Sequence, residues 1–516
     1  ADGAIAARLS KRFRLLTGGN RTAMPRHQTL RAVVAWSWDL LTEDERVLAA
    51  RLSVFTGGAT AEAAGRICIL DDEDDLDEDT VADLLASLTD KSLLVLVEPT
   101  LLHHGDHPRY RMLETIREFT AEQLELREET TATKAALSAY FLELAEAAEP
   151  KLRSAEQLAW LDRLTLERDN LLIALRYAAE QEDGDTALRL GASLAWYWTM
   201  LGRHDEAATW LGQALKVPGS QSTEAYLIAY VVHTLSQATS GQFMPSFEQM
   251  AMVLDRLAEV DLSASHPLLS LIEPGFAMVT DDVERGRQAV ERNLAHPDPW
   301  ARAMLNLMSA VQGENDGDME LLQERLPLAQ NAFREIGDRW GMGTCAGTLA
   351  NLYSAQGRVT EAIEAMEEAR QLMTELRATD DESYALIRMG MLRMRLGELD
   401  KAELDIAAAL EVSARTGSAM SAAFGKISQG ILAHYRGNTD EARQLGRTAL
   451  EMVERTTFMP PQVKSSVLCA LSTFDVATGD LESAAEWLIQ AYAGVEESKD
   501  MPIAAMLAVG TANLLS

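Results

Sequence analysis

Residues 357–369 read GRVTEAIEAMEEA, in which alanines follow a glycine by five and by twelve positions. Glycine can end a helix in a left-handed conformation that a side chain opposes, and alanine lets the next helix approach its neighbours. The spacing occurs five times, at Gly202/Ala207/Ala214, Gly357/Ala362/Ala369, Gly397/Ala402/Ala409, Gly437/Ala442/Ala449 and Gly479/Ala484/Ala491. The last four glycines are 40, 40 and 42 residues apart, the length of two short helices with their turns. The pattern predicts an α-solenoid of helical hairpins over residues 191–516, a fold that usually binds partners.

The composition favours a mostly α, cytoplasmic protein. The 516 residues include only 14 prolines and no apolar run of about 18 residues, and the start lacks a secretory signal. Cys68, Cys345 and Cys469 lie far apart without a Cys-x-x-Cys pair. We therefore expect reduced, buried thiols and neither a disulfide framework nor a zinc site.

The charge is unevenly distributed along the chain. Residues 1–31 carry seven Lys or Arg and one acidic residue, whereas the whole chain has a formal net charge of −32. An acidic array repels nucleic acid, so we expect the solenoid to bind a protein, peptide or small-molecule effector and not DNA. The opening Ala1-Asp2-Gly3, followed at once by an amphipathic run, suggests a piece of a longer protein.

A separate winged-helix domain is predicted over residues 22–130. Thr42 and Glu45 have the spacing of a capping box, which predicts a helix from Glu43 to about Phe55. The other expected elements are a helix over His27–Leu41, helices with N-caps at Thr60 and Thr80, and β-strands over Leu93–Val97 and Arg109–Leu113.

Several motifs resemble those of the bacterial signal-transducing ATPases (the STAND, NB-ARC-like class) of the AfsR type, often attached to a Streptomyces antibiotic regulatory protein (SARP) DNA-binding region. Residues 5–9 (IAARL) and 12–19 (RFRLLTGG) resemble the exit from that family's nucleotide-binding module. The winged-helix region and its continuation are similar at RHQTLRA (26–32), WSWDLL (36–41), YRMLETIRE (110–118), WLDRL (160–164) and ERDNL (167–171). The remainder resembles tetratricopeptide repeats.

This resemblance implies four regions. Residues 1–21 would end a nucleotide-binding module, 22–130 form the winged helix, 131–190 a helical linker and 191–516 a tetratricopeptide-like sensor. In the longer parent protein, ATP or ADP with magnesium would be held between a P-loop module and the winged helix, and the switch would control a DNA-binding domain outside this chain. The chain itself contains no GxxxxGK[ST] sequence, so we expect it to have no cofactor and no enzymatic activity of its own.

Two sets of residues are candidates for nucleotide contact. Met112-Leu113-Glu114 occupies the position at which related switches have a Met-His-Asp motif whose histidine contacts the ADP phosphate, a contact that leucine cannot make. Arg26, His27 and Arg31 could face a phosphate from a helix start; alternatively, they cap that helix and pair with surface acids.

Other features have structural interpretations beside functional ones. His103-His104-x-x-His107 contains metal-ligand types, but it lies in the expected wing loop without cysteines or a second pair, so no metal site is predicted. Trp36 and Trp38 cannot share a helical face, so one should pack in the core and the other at a domain contact. Asp169-Asn170 is interpreted as a helix cap.

The repeat region leaves two questions open. Its methionines, Met366, Met373, Met389, Met391 and Met394, suit either a core or an adaptable binding surface, and we favour the core. The glycine and alanine signature is blurred between residues 242 and 340, where the solenoid is either irregular or carries the ligand site.

The sequence leaves two alternatives to a regulatory sensor. One is a scaffold whose winged helix contacts DNA directly, although Asp83 and Asp90 make the helix after Thr80 acidic. The other is an enzyme with a site near residues 260–300. No set of catalytic residues in the sequence supports it.

Overall fold

The computed structural model describes residues 25–70, 78–97, 108–219, 222–240, 246–280, 282–416, 418–456, 461–498 and 501–515. These residues form two compact units. The first contains the described residues up to 144 together with 162–177, and the second contains 145–161 together with those from 178 onward.

The first unit is built on a winged helix. Strands β1 and β2 pair in antiparallel fashion, with Leu96 opposite Tyr110. The elements are α1 (Pro25–Asp39), α2 (Glu43–Arg51), α3 (Ala61–Cys68), α4 (Glu78–Asp90), β1 (Val95–Val97), β2 (Arg109–Arg111) and α5 (Glu114–Leu126), followed by α6 (Thr130–Ala148) and α7 (Gln157–Glu180), which contribute residues to both units.

The capping box that starts α2 is confirmed. The Thr42 hydroxyl accepts a hydrogen bond from the Glu45 N–H, and a Glu45 carboxylate oxygen accepts one from the Thr42 N–H at 2.8 Å. Its other oxygen accepts from Ser87 at 2.6 Å and from Lys91. Burial alone would raise the pKa of Glu45, but these hydrogen bonds hold it at about 2. One residue thus caps a helix and ties α2 to α4.

The helix starts were predicted with mixed success. Thr60 caps α3 as expected, because its hydroxyl accepts from the Ala63 N–H. The prediction for Thr80 is wrong: α4 begins at Glu78, so Thr80 lies within its first turn. In α1, Trp38 is buried against Phe119, with ring centroids 5.8 Å apart, whereas Trp36 is 65% exposed.

The second unit is a solenoid of antiparallel helices. Two short 3-10 segments, Glu149–Arg153 and Pro267–Leu271, interrupt it. Its helices are α8 (Gly184–Met200), α9 (His204–Ala214), α10 (Thr223–Thr239), α11 (Phe247–Leu257), α12 (Ile272–Val279), α13 (Val283–Asn293), α14 (Pro299–Asp316), α15 (Met319–Ile336), α16 (Arg339–Ala355), α17 (Val359–Leu376), α18 (Thr379–Arg395), α19 (Leu399–Thr416), α20 (Ala419–Tyr435), α21 (Thr439–Arg455), α22 (Pro461–Thr478), α23 (Leu481–Ser498) and α24 (Met501–Leu515).

The glycine and alanine signature is confirmed at the five places where the sequence contains it. The five glycines have φ between 65° and 84°, the left-handed region, and each lies between the two helices of a hairpin. The ten alanines are at most 4% exposed. Four of the five methionines are buried as well, namely Met366, Met373, Met389 and Met394, so the core interpretation holds for them. The three cysteines are free and buried.

The blurred stretch is irregular only in part. Helices α11 to α13 have eight to eleven residues each, shorter than the helices that follow. From α14 onward the hairpins are regular, and Gly317 and Gly337 have left-handed φ of 77° and 81° although the alanines are lost. The turns in this stretch therefore still use a glycine in the left-handed conformation, although the alanines of the signature are absent.

A buried carboxylate joins parts of this unit that lie far apart in sequence. Asp338 is the N-cap of α16 and is fully buried. It accepts hydrogen bonds from two N–H groups of the first turn of α16, from Gln157 Nε2 at 2.9 Å and from Trp300 Nε1 at 2.6 Å. Trp196 packs edge-on against both Trp300 and Trp340, at 5.1 Å between centroids. Burial raises the pKa of Asp338, and the four donors oppose that rise.

Candidate ligand groove of the repeat array

A groove of about 420 Å³ lies among the helices of the second unit. Helices α16 and α18 supply most of its walls, α14 and α17 the rest, and Pro502 of α24 also lines it. At Gly347 of α16 an added Cβ would have no atom within 4 Å, so the small residue faces open space. Met366, Ala369, Met373 and Ala385 give the groove an apolar floor.

One wall of the groove is a polar face of α16. Thr344, Thr348 and Asn351 are spaced i, i+4, i+7, which places them on one side of a helix. The Thr344 hydroxyl donates to the Trp340 carbonyl at 2.9 Å, and the Thr348 hydroxyl to the Thr344 carbonyl at 3.1 Å. Since each hydroxyl has used its single proton, what remains on these side chains is the capacity to accept hydrogen bonds.

The facing wall on α18 carries opposite charges at its two ends. Asp381, Tyr384 and Arg388 are spaced i, i+3, i+7 and line the groove together. Arg388 Nη2 donates to Asn351 Oδ1 at 2.8 Å, so the guanidinium and the amide connect the two walls. Arg388 Nε is buried and has no acceptor within the described parts of the chain.

Asp381, at the other end of the α18 wall, has a carboxyl group with a raised pKa. Asp381 is exposed at the edge of the groove, so solvent screens part of the effect that its neighbours have on it. Desolvation, followed by repulsion from Asp380, raises the pKa of Asp381 to about 6, against a hydrogen bond from Trp340. A group that ionises near neutral pH in a cleft is a feature of many functional sites.

The Met112-Leu113-Glu114 triplet joins β2 to α5. Met112 is buried and accepts a hydrogen bond from Thr120 at 3.4 Å, and Glu114 forms an ion pair with Arg117 at 2.8 Å. Leu113 precedes the first turn of α5 and is 58% exposed. None of these three side chains offers a donor for a phosphate.

The basic candidates are placed as follows. Arg31 forms an ion pair with Glu122 at 2.5 Å and stacks over the Phe119 ring at 5.9 Å. Arg26 and His27 belong to α1, but their side chains lie outside the described residues. Residues 1–21 and His103, His104 and His107 also lie outside them.

A buried polar network replaces the helix cap expected at Asp169-Asn170. Asn170 lies inside α7, so the cap interpretation is wrong. Its Oδ1 accepts from the Thr56 and Gly57 N–H groups at 3.2 Å, and its Nδ2 donates to the Gly58 carbonyl at 3.0 Å. Helix α7 thus holds a loop of the winged helix more than a hundred residues away in sequence.

The same network contains a buried ion pair. Arg109 and Glu167 are 5% and 4% exposed and are joined through both terminal nitrogens of Arg109. Arg109 Nη2 also donates to the Gly58 carbonyl at 2.9 Å, and Asn170 Nδ2 donates to Glu167 at 2.8 Å. These groups are sealed from solvent, so we assign them to the fold and not to a ligand.

Two kinds of site are not found among the described residues. No group of three or more His, Cys, Asp or Glu side chains in these ranges could hold a metal ion. Nor does a helix within them combine the length and the apolar content needed to cross a membrane.

The winged helix-turn-helix domain family matches residues 41–125. This region is a winged helix-turn-helix domain. A tetratricopeptide repeat family matches residues 343–377, which are helices α16 and α17 and include the polar wall of the groove. The mostly α fold, a winged helix followed by a tetratricopeptide-like solenoid, is thereby confirmed.

Relatives of this chain include proteins from mycobacteria. Proteins provisionally named HTH-type transcriptional regulators, from Mycobacterium tuberculosis and Mycobacterium bovis, are 27% identical over 397 residues, which is 73% of this chain and 42% of the relative. The chain thus spans less than half the length of these relatives. An uncharacterized Mycobacterium tuberculosis protein is 34% identical over 120 residues, 23% of this chain and 29% of its own length.

A solved structure with similar architecture is a signal transduction ATPase with numerous domains that has a tetratricopeptide repeat sensor, from Pyrococcus horikoshii. It aligns with 96% of this chain and 68% of its own, at a TM-score of 0.49 and 14% identity. At that level no functional conclusion rests on it.

The groove residues escaped the sequence analysis, although a signal for them exists. The glycines at 357 and 397 identify α16 and α18 as the first helices of two successive hairpins. On each of these helices three polar side chains share one face, where an apolar contact surface would otherwise be expected. Comparing equivalent faces of successive repeats would have identified the groove.

Proposed function

We propose that this chain is the sensor part of a bacterial transcription regulator of the signal-transducing ATPase class, of the AfsR and SARP type. An effector in the groove would bias a nucleotide-dependent switch and, through it, a DNA-binding domain outside this chain. The observation that carries the proposal is the order of the parts: a winged helix-turn-helix domain precedes an array with a polar groove, in a chain similar over 397 residues to HTH-type regulators.

The charges of the winged helix favour an internal role for it. In such domains the third helix commonly reads the DNA groove, and the third helix within the matched residues 41–125 is α4. Its sequence, EDTVADLLASLTD, contains no Lys or Arg, and Asp83 and Asp90 are exposed. Phosphates would repel such a surface. We therefore assign DNA contact to another domain of the parent protein.

The nucleotide belongs to another module in this proposal as well. Leu113 has no group that could contact a phosphate, and Arg31 is engaged by Glu122. These residues do not fit a nucleotide, so ATP or ADP and magnesium would be held by the part of the parent with a P-loop. The winged helix would contribute its surface to the switch without a direct phosphate contact.

The test is transcript profiling in the host. A strain that lacks the gene should show a defined set of altered transcripts, and the intact gene should restore them. An Arg388→Gln allele should fail to restore them, whereas Arg436→Gln, which removes an exposed arginine outside the groove lining, should succeed. Unaltered transcripts in the deletion strain would contradict the proposal.

Calorimetry with ATP and ADP tests the nucleotide part. We expect this chain to bind neither nucleotide and the full product of the gene to bind at least one. If neither binds, the switch is absent. Binding of duplex DNA by this chain, with a steep salt dependence, would instead favour the scaffold with a DNA-contacting winged helix.

A further inference from the structure

The groove has a direction, because its α18 wall is negative at one end and positive at the other. Asp381 and Arg388 are seven residues apart on one helical face, which places them roughly 10 Å apart along the axis at about 1.5 Å per residue. Asp380, the next residue along α18, does not line the groove, because its carboxylate lies against the Gly202 turn. Glu314, the other acid of the lining, already has an interaction of its own.

The positive end has unused donors. Arg388 Nη2 donates to Asn351 Oδ1, and among the described residues the other terminal nitrogen, Nη1, has no acceptor. Nη1 and Asn351 Nδ2 are therefore the donors for a ligand, whereas Nε is buried out of its reach. A guanidinium and an amide that converge in this way suit a carboxylate, which accepts several hydrogen bonds at once. The half-buried position of Arg388 strengthens such a contact relative to one in bulk water.

The wall between the two ends can accept hydrogen bonds. The Thr344 and Thr348 hydroxyls have donated their protons to the helix backbone, so they would accept from N–H groups of a ligand. The floor below them is apolar, although its two methionines, Met366 and Met373, are almost fully buried and belong to the core. An extended peptide spans about 3.3 Å per residue, so three residues cover roughly 10 Å.

We propose that the groove binds a short peptide of about three residues with both termini free, its amino group at Asp381 and its carboxylate at Arg388 and Asn351. This inference rests on the proposed function and names the chemical class of its effector. It requires charges of both signs on the ligand at a fixed separation, which distinguishes it from a purely anionic metabolite, a polyamine or a sugar.

The test is affinity selection with three tripeptide libraries on the whole 516-residue chain. The libraries have the same side-chain diversity, with free termini, with acetylated amino termini or with amidated carboxyl termini. Peptides retained after gel filtration are identified by mass spectrometry. We expect retention from the free library and a loss of at least tenfold with either cap.

Substitutions in the groove show which residue binds each terminus of the peptide. Arg388→Gln should remove the discrimination against amidated peptides, and Arg388→Lys, which keeps the charge but loses the forked donor, should reduce it. Asp381→Asn should remove the discrimination against acetylated peptides. Arg436→Gln and Glu403→Gln, which alter an exposed ion pair outside the groove lining, should behave as the wild type does. Circular dichroism and thermal melting confirm that each variant is folded.

Several outcomes would overturn the inference. Folded wild type that retains no free tripeptide refutes it, as does retention that ignores both caps or the Arg388 substitutions. Sensitivity to amidation alone would indicate a simple anion site, which also contradicts it. If transcripts respond to Arg388→Gln while no peptide binds, the proposed function stands and the ligand class is wrong; if peptides bind and the deletion strain shows no altered transcripts, the reverse holds.

Discussion

Arg109 in the winged-helix unit and Arg388 in the repeat array use the same side chain in opposite ways. Arg109 is 5% exposed, and its terminal nitrogens donate to both carboxylate oxygens of Glu167 and to the Gly58 carbonyl. Arg388 is half-buried in an open groove and donates to a single acceptor, Asn351, among the residues described. Nε is buried without a partner among the described residues in both arginines, so the difference lies in the terminal nitrogens. Both terminal nitrogens of Arg109 donate to Glu167, whereas Nη1 of Arg388 has no acceptor among the described residues and is left for a ligand.

The difference shows what distinguishes a structural polar group from a binding one. Burial and charge are common to both arginines, so neither identifies a site. What separates them is whether the protein itself supplies the partners. That distinction can be tested on the molecule by breaking the sealed network, by straining the array near the groove and by removing one charge of the groove.

The largest effect should follow from breaking the sealed ion pair. Glu167→Ala leaves Arg109 buried and uncompensated, and we expect a loss of about 3–5 kcal/mol in the free energy of unfolding of the first unit. Urea denaturation followed by circular dichroism measures it. The matched control is Glu62→Ala, whose partner Arg163 is partly exposed, and which should cost less than about 1 kcal/mol.

The double variant Arg109→Met/Glu167→Met sharpens this result. Because both charges are removed together, much of the lost stability should return. If Glu167→Ala cost no more than Glu62→Ala, the pair would not be sealed from solvent. The contrast with Arg388 would then lose its basis.

A pair of glycines in the array tests the next largest effect. Gly397→Ala places a side chain at φ 76° with no atom within 4 Å of the new Cβ, so only backbone strain of roughly 1 kcal/mol is expected. Gly202→Ala has similar strain at φ 65°, but its Cβ would lie 3.0 Å from an Asp380 carboxylate oxygen. We expect a larger loss there, up to roughly 2 kcal/mol in thermal or chemical unfolding. Equal losses would mean that Asp380 is not held against this turn.

The smallest effect concerns the acid of the groove and has a defined pH dependence. The pKa of Asp381 is raised to about 6 from its ordinary 3.8, so the free energy of unfolding falls as the pH rises from about 3.8 to about 6 and stays lower above pH 6. Asp381→Asn should raise the melting temperature at pH 7.5, by about 1 °C in view of solvent screening, and by less at pH 5, where the wild-type carboxyl is largely protonated.

The control for Asp381→Asn is a carboxyl group whose pKa is shifted in the opposite direction. Arg436 lowers the pKa of Glu403 through a hydrogen bond, so Glu403→Gln should leave the melting temperature at pH 7.5 unchanged or slightly lower. A melting temperature that Asp381→Asn lowers at pH 7.5 would show that the groove stabilises the ionised carboxylate. In that case the charge would belong to the fold, as that of Glu167 does.

The features that the sequence predicted well are those determined by neighbouring residues. The left-handed turns need glycine, close helix contacts need alanine, and the capping box of Thr42 and Glu45 spans four residues. Thr80 misled the prediction because a threonine can cap a helix or lie inside its first turn, and the difference depends on residues before it. Asn170 misled it because its partners are the Thr56–Gly58 loop, which no local pattern connects to α7.

The candidate site needed the structure for a similar reason. Thr344 and Arg388 lie in different repeats, and each is unremarkable by itself. Only the packing of successive hairpins brings their helical faces to one groove. The Met-His-Asp position was located by resemblance, and the structure adds that Leu113 is exposed there while its neighbour Met112 is buried.

The carboxylate of Asp338 has a consequence for how the array folds. In an ideal solenoid each repeat contacts only its neighbours, so unfolding can begin at either end and spread one hairpin at a time. The bond from Gln157 to Asp338 closes a loop of 181 positions, and Trp300 joins the same carboxylate. The early hairpins up to α16 should therefore exchange their amide protons as one cooperative block, whereas those beyond α18 can fray singly from the carboxyl end.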